Sequence, residues 1–429
     1  MIKDKDYYLD WIYQRGNSAG KRRDLSAIKA LLHELDNPQD KIKVIHIAGT
    51  NGKGSTANFI ANTLSQKLRC GLFTSPYMVE INEEVKINGK PISDEEFFSY
   101  IEMLKPICEN LDNINLKNTY FEVMTALMFK YFYDKKVDVC VVETGLGGTL
   151  DSTNVVKKPL ASLITTISMD HTNILGNTIE EIAQNKAGII KENVPVFIYP
   201  QNESALNVIL KKAKEKNSKV YDFKFSEIKI KNQSADFNEF DFRGYKNIKT
   251  SLIGKVQIYN ACNALNLLDY FKEEFDLDED IIKKGIYEST NIGRLQIISK
   301  SPRVLIDGSH NKESIDALLS SLKLFKYDKL IVGFSILKDK DYDYIIEKIS
   351  SIADEIVITS VDNPRAFELE NLKNIIKEKF SNVKKIKDRK EAYEYTKSKA
   401  KANDLVLWCG SLYLVGEILK FENSHKNLY

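Results

Sequence analysis

What the 429-residue chain lacks already narrows its chemistry. Charge of one sign is missing: 62 Lys+Arg face 60 Asp+Glu, for a formal net charge of +2. Nucleic acid and anionic membranes are held by a surplus of positive charge, so neither is expected as a partner. No apolar run approaches the roughly 18 residues of a spanning helix. The start, Met1-Ile2-Lys3-Asp4-Lys5-Asp6, has no apolar signal core. Cysteine is sparse and odd in number: Cys70, Cys108, Cys140, Cys262 and Cys409 are scattered, without a Cys-x-x-Cys pair. Buried thiols in a reducing, cytoplasmic compartment are therefore expected. Internal repeats and low-complexity tracts are absent as well. What remains, 43% apolar and 28% charged residues, is the composition of a folded chain, and the length suits two or three domains.

Short β-branched runs alternate with helical patterns, the signature of parallel α/β domains. Val44–Ala48, 137–142, 161–167 and 194–199 read as strands. The aromatic alternation between Tyr221 and Ile253 reads as a small antiparallel sheet appended to the first domain. The pattern restarts after Arg294 with strands at 304–306, 330–332, 356–358 and 405–407. A helix there places Ile315, Leu318, Leu319 and Leu322 on one face. The expected architecture is a P-loop NTPase-like, mostly parallel sheet domain with its small antiparallel sheet, over residues 1–295. A smaller Rossmann-like α/β domain follows over residues 296–429. The Lys-rich stretch 211–219 reads as a solvated helix face, and Ser93-Asp94-Glu95-Glu96 as a capping box.

The strand Val44–Ala48 runs into Gly49-Thr50-Asn51-Gly52-Lys53-Gly54-Ser55-Thr56 and then a helix carrying Ile60, Leu64 and Leu68. Glycines between a buried strand and a helix let backbone N–H groups surround a phosphate at the positive end of the helix dipole. Lys53 can reach the β- and γ-phosphates, and the hydroxyl of Ser55 or Thr56 can ligate Mg²⁺. Gly54 stands where GxxxxGK[ST] requires a hydroxyl, so the loop departs from the usual motif. What is done with the phosphate does not follow from this loop alone.

The loop resembles that of folylpolyglutamate synthases and dihydrofolate synthases, members of the Mur ligase superfamily, and other segments resemble that family in the same order. Thr74-Ser75-Pro76 is similar to its substrate-loop motif, and Thr119-Tyr120-Phe121-Glu122 to its TxFE helix. Glu143-Thr144-Gly145-Leu146-Gly147-Gly148 with Leu150-Asp151-Ser152-Thr153-Asn154 is similar to EVGLGGRLDATN. Asp170-His171, Leu175-Gly176 and Lys186-Ala187-Gly188-Ile189 follow as DHxxxLG and KAGI. Gly293-Arg294, Asp307-Gly308-Ser309-His310-Asn311 and 410–417 resemble GR, DGAHN and GSLYLVGE.

The resemblance implies an ATP-dependent ligase that activates a carboxylate as an acyl phosphate, which the amino group of L-glutamate attacks. The acceptor would be a reduced folate, lengthened as poly-γ-glutamate, with dihydropteroate as a second acceptor in a bifunctional version. It also implies that Ser55 and Glu143 hold one Mg²⁺, while Glu143, His171 and Lys186 serve a second. A monovalent cation is a further candidate. Lysine can ligate a metal only as a carbamate, which requires a neutral amine and hence a lowered pKa. Asn260 would meet the adenine. Arg294, at the domain junction, can neutralise phosphate charge; Asp307 can accept from ribose hydroxyls; His310 can reach the phosphates. Ser75, Pro76 and Tyr77 would cover the substrate, with Asp151 and Thr153 touching the pterin or a glutamyl carboxylate. Closure of the second domain near residue 292 would keep water from the acyl phosphate. A monomer is expected.

Each residue also has a structural alternative: an ion-pair partner for Glu143, a cap or core position for His171, a solvated helix position for Lys186, packing roles for Asn260 and His310. Several positions depart from the family. SPHL reads Ser75-Pro76-Tyr77-Met78, and ERI reads Glu83-Glu84-Val85, exchanging an arginine for an acid. The arginine of GGRLDATN is Thr149, HQ is Val256-Gln257, and the proline after DGAHN is Lys312. Two competing functions are another Mur-type ligase acting on a cell-wall precursor, and a P-loop regulatory ATPase. The 48 residues before Gly49 leave little room for the leading domain of the former. The motifs of the second half have no evident role in the latter.

Overall fold

The computed structural model describes residues 5–16 and 24–426, without the side chains of 424–426; the charged start 1–4 lies outside these residues. The first sheet contains β1 (Val44–Ala48), β2 (Cys70–Phe73), β3 (Val85–Ile87), β4 (Lys90–Pro91), β5 (Val139–Glu143), β6 (Ala161–Ile164), β7 (Val196–Ile198) and β8 (Val220–Asp222). Its order is β4-β3-β2-β5-β1-β6-β7-β8, parallel except for the β2-β3-β4 edge. All five residues of β1 and of β5 are buried, as strands covered on both faces must be. Ile45 and Ile47 face a core built with the helices Lys53–Leu64, Lys255–Tyr270 and Glu279–Glu288; Val44 faces the helices Ser26–Glu34, Asp94–Asp112 and Tyr120–Asp134.

The antiparallel sheet is β9 (Ile228–Gln233), β10 (Asn238–Phe242) and β11 (Tyr245–Thr250). Phe240, Phe242 and Ile248 pack into the first of those cores, so it is part of the same body. A six-stranded sheet follows: β12 (Gln296–Lys300), β13 (Arg303–Ile306), β14 (Leu330–Phe334), β15 (Glu355–Ile358), β16 (Val383–Lys385) and β17 (Leu405–Cys409). Its order is β12-β13-β17-β14-β15-β16, with only β12 antiparallel. Its two faces are filled separately, one by Leu305, Val332 and Ile356, the other by Val304, Val357 and Trp408.

The expected strands are all present, with ends shifted by a few residues, and all five cysteines are free and buried. Ser93 caps the helix Asp94–Asp112, its hydroxyl accepting from the Glu96 N–H at 3.2 Å. Other elements escape the periodicity. β3, β4 and β16 are two or three residues long, and β2 carries Gly71, where a Cβ would lie 2.9 Å from the Phe132 ring. The helix after the phosphate loop stops at Leu64, and Leu68 packs from the turn beyond it. Among the described residues no helix is long and apolar enough to cross a membrane.

Candidate active site

In open parallel sheets ligands gather beyond the carboxyl ends of the strands, where the connections diverge to opposite sides. Here β1, between β5 and β6, delivers Gly49 to that edge, and its neighbours deliver Glu143 and Thr165. Gly52 has φ +84° as the residue before the helix Lys53–Leu64; a Cβ on it would sit 2.5 Å from Asn260 Oδ1. Gly52→Ala is thus expected to strain the loop and push Asn260 aside, raising KM for ATP about tenfold, since a left-handed Cβ costs about 1–2 kcal/mol. Saturation kinetics would measure it.

Lys53 Nζ donates to the Thr50 carbonyl at 3.3 Å and lies 3.7 Å from Glu143 Oε1. Ser55 Oγ accepts from Asn291 Nδ2 at 2.9 Å, and a Cβ on Gly54 would lie 3.4 Å from Glu143 Oε2. Ser55 and Glu143 therefore meet around Gly54. Of the two candidate hydroxyls Ser55 lines the cleft, whereas Thr56 is fully buried and does not line it. A serine hydroxyl and one carboxylate suit Mg²⁺, which takes few protein ligands and completes its shell with phosphate and water.

Glu143 is 5% exposed. Burial pushes its carboxyl up to about 7, against the opposing pull of Lys53, Arg294 and the Ser75 N–H. Lys186 closes the helix Ile179–Lys186 and is 3% exposed; its Nζ donates to the Gly49 carbonyl at 2.7 Å. Burial, then Lys53, lowers its pKa to about 7, which meets the requirement for a partly neutral amine. His171 caps a short helix at φ +51°, its pKa lowered by burial, with Asp170, Lys340, Lys53 and Lys186 in its field. Among the described residues no three His, Cys, Asp or Glu side chains are grouped as a metal site, so a second ion would depend on a modified Lys186.

The second body supplies the opposite wall. Arg294 places its charge in the field of both Glu143 and Asp307. Asp307, its pKa raised by burial, accepts from the Leu295 N–H and the Ser309 N–H, each at 2.8 Å. His310 donates Nδ1–H to the Gly308 carbonyl at 2.8 Å. Burial, then Lys340, holds its pKa at about 4, so at neutral pH it brings no positive charge of its own. Three residues given no role from the sequence join the bodies. Glu313 accepts from Asn51 of the phosphate loop and from Ser168 Oγ at 2.8 Å, and Asn311 Nδ2 donates to Asn51 Oδ1 at 3.0 Å. Lys340 pairs with Asp170 at 3.0 Å. Burial alone would raise the Asp170 pKa, but Lys340 and the imidazoles of His171 and His310 hold it well below the carboxylate range. The sequence signal for Glu313 was its place in the first turn after DGSHN; Lys340 had none.

Ser75 and Pro76 line the cleft, and so does Asp151, which takes the Leu146 N–H at 2.8 Å and the Thr153 N–H at 3.0 Å. Tyr77 and Thr153 do not. Tyr77 is partly buried, packing against the edge of the apolar core, and shares a hydrogen bond with Tyr13 at 2.9 Å. The Thr153 hydroxyl is engaged by Asp151 and by His46 Nε2 at 2.8 Å, so it positions Asp151. Thr149 also has a structural reason: its hydroxyl donates to the Asn185 carbonyl at 2.9 Å, and it packs against Gly188, where even a Cβ would collide. Phe121 of the TxFE segment and Glu84, the acid that stands where the resemblance implies an arginine, also line the cleft.

The remaining expected residues, Thr50, Asn260 and the loop glycines among them, line the same cleft of about 1690 Å³. That exceeds the roughly 300–1,000 Å³ of a single-ligand pocket, as a site for several reactants requires. Residues 47–268 match the Mur ligase middle domain, and residues 293–412 the Mur ligase glutamate ligase domain. The dihydrofolate synthase/folylpolyglutamate synthase of Bacillus subtilis (strain 168) is 39% identical over 422 residues, covering 96% of this chain and 97% of that protein. The chain belongs to the folylpolyglutamate synthase and dihydrofolate synthase family of Mur ligases.

The Lacticaseibacillus casei folylpolyglutamate synthase is 34% identical over 357 residues, 81% of this chain and 83% of that protein. The structure of the Mycobacterium tuberculosis folylpolyglutamate synthase complexed with ADP and AMPPCP superposes with a TM-score of 0.88 at 30% identity, covering 98% of this chain and 99% of that one. This Mur ligase is accordingly an ATP-dependent enzyme forming a carbon–nitrogen bond.

Proposed function

We propose that the enzyme joins L-glutamate to the carboxylate of a reduced folate at the expense of ATP, extending a poly-γ-glutamate tail, and that it also accepts dihydropteroate. The observation that carries this reading is the convergence, in one cleft, of the phosphate loop with Glu143 and Lys186 from the first body and Arg294, Asp307 and His310 from the second. The near-neutral charge overall supports small-molecule partners, without nucleic acid or an anionic membrane, and the five free, buried cysteines support a reducing, cytoplasmic compartment. Division near residue 295 leaves each sheet in its own body.

Amide formation from a carboxylate is uphill in water, so the carboxylate is first phosphorylated, and catalysis of that transfer is mostly positioning and charge neutralisation. The N–H groups of residues 49–56 and Lys53 would cradle the phosphates, Arg294 would neutralise charge from the facing wall, and Asn260 and Asp307 would orient the nucleoside. His310 is assigned to the phosphates as a hydrogen-bonding group. Ser55 and Glu143 would hold one Mg²⁺, with Glu143, His171 and a carbamylated Lys186 serving another. Such ions supply charge neutralisation at the phosphoryl oxygens. Ser75 and Pro76 would cover the acceptor, with Asp151 at its ring or glutamyl end, Thr153 behind it, and Tyr77 bracing the loop. The Glu313 and Lys340 contacts hold the bodies together over the phosphate loop, which would keep water from the acyl phosphate.

The test is a panel of dihydropteroate, tetrahydrofolate and its diglutamate, each with ATP, Mg²⁺ and labelled glutamate. Incorporation with all three is expected. Incorporation with the folates alone would make the enzyme monofunctional, and none with any acceptor would overturn the reading.

A further inference from the structure

His46 is the one polar residue of β1. It stands on the face of Val44, opposite Ile45 and Ile47, with Val142 and Ser162 beside it in the sheet, and it is fully buried. An imidazole in that place costs free energy that a leucine would not, and its Nδ1 has no hydrogen-bond partner to offset the cost. Nε2 is engaged, with the Thr153 hydroxyl at 2.8 Å. The direction of that bond follows from Asp151. Its Oδ2 accepts from the Leu146 N–H at 2.8 Å and its Oδ1 from the Thr153 N–H at 3.0 Å, so both oxygens are acceptors. The Thr153 hydroxyl also gives its proton to Oδ1, which leaves the hydroxyl oxygen only lone pairs for the imidazole. Nε2 therefore carries the ring proton and donates, and Nδ1 is bare. The ring is neutral, as this tautomer requires, because burial, then the Lys191 charge, pushes its pKa down to about 3.

We propose that His46 is a positioning residue for the acceptor: through Thr153 it fixes the Asp151 carboxylate in the cleft wall. The proposal rests on the ligase reading above, in which Asp151 meets the acceptor. Asp151 caps the single turn Ser152–Val155, and its hydrogen bonds come from its own loop, from Gly145, Leu146 and Thr153. His46 ties that arrangement to the centre of the sheet. Thr153 is held at both ends, so its hydroxyl cannot turn away from Asp151, and a chain of bonds in which every member is engaged specifies one orientation of the carboxylate. β1 is also the strand that delivers the phosphate loop. Gly49 follows His46 by three residues, about 10 Å of extended chain. One rigid strand thus carries the anchor of the acceptor at one point and the cradle of the phosphates at another.

The experiment measures glutamate incorporation by wild type, His46→Leu, His46→Asn and His46→Gln, resolving kcat from KM for tetrahydrofolate and for ATP. Glutamine places an amide nitrogen where the imidazole has Nε2 and keeps the donor. Leucine has none, and the amide of asparagine stops at the position of Nδ1. His46→Leu and His46→Asn are expected to raise KM for the folate about three- to tenfold, the usual effect of one hydrogen bond, with KM for ATP unmoved. His46→Gln should restore it. The asparagine variant carries the test if the leucine variant does not fold. Thr153→Val should raise the same KM, and combining it with His46→Leu should add nothing, since both break one chain. An unchanged KM for the folate in an active leucine or asparagine variant would overturn this inference alone. So would a rise in KM for ATP that glutamine does not reverse, which would make His46 a support of the phosphate loop. No incorporation by the wild type would overturn the ligase reading and this inference with it.

Discussion

Glu143→Gln is expected to lower ligation by about 10²–10³-fold, the usual effect of removing one electrostatic contact to a transition state, while making the fold more stable than the wild type at pH 8. Burial raises the Glu143 carboxyl from 4.5 to about 7, so the folded protein holds this proton more tightly than the unfolded chain does. A group of that kind adds stability that is fully present below about pH 4.5 and lost as the pH rises through about 7, an effect on the order of 3 kcal/mol. Glutamine has no proton to lose and escapes the penalty of a buried anion at pH 8, while its amide oxygen can still accept from Lys53. Thermal melting from pH 5 to 9 together with glutamate incorporation would measure both properties. Normal ligation with a large loss of stability would mean that Glu143 is a structural partner of Lys53 and nothing more.

Lys186→Ala is expected to lose activity to a comparable degree, and added bicarbonate should not restore it. The side chain reaches through the core to the carbonyl of Gly49, the first residue of the phosphate loop. Burial and Lys53 hold its amine near pKa 7, so at pH 8 most of it is neutral, the form that adds CO₂. Removing it takes away both the anchor beneath the loop and the nitrogen that would carry a carbamate. Alanine offers no nitrogen, so bicarbonate has nothing to modify. Turnover at the wild-type rate would show that Lys186 is only a buried helix residue.

These residues differ in how far the sequence reveals them. Val44–Ala48 was legible to the residue because a fully buried parallel strand is nearly continuous apolar sequence, broken here only by His46, and it ends in the glycines of the loop. Glu143 was legible for the converse reason, as a carboxylate at the end of an apolar run. β3 and β4 were not, since two or three residues carry no periodicity. Tyr77 shows a limit of another kind: only packing decides that its ring lies against the edge of the core beside Tyr13 and not along the cleft. Glu313 and Lys340 act across a contact between two separately folded bodies, and nothing local in the sequence encodes such a meeting. Glu84 was visible only as a departure; that it is buried and lines the cleft is shown by the fold alone.

The central claim is that the cleft couples ATP cleavage to amide formation. It is tested most directly by phosphate release, measured with ATP and Mg²⁺ in the presence of acceptor alone, glutamate alone, and both. The account predicts sustained release only with both, one phosphate for each labelled glutamate incorporated. Release at the full rate without glutamate would contradict it and leave an ATPase.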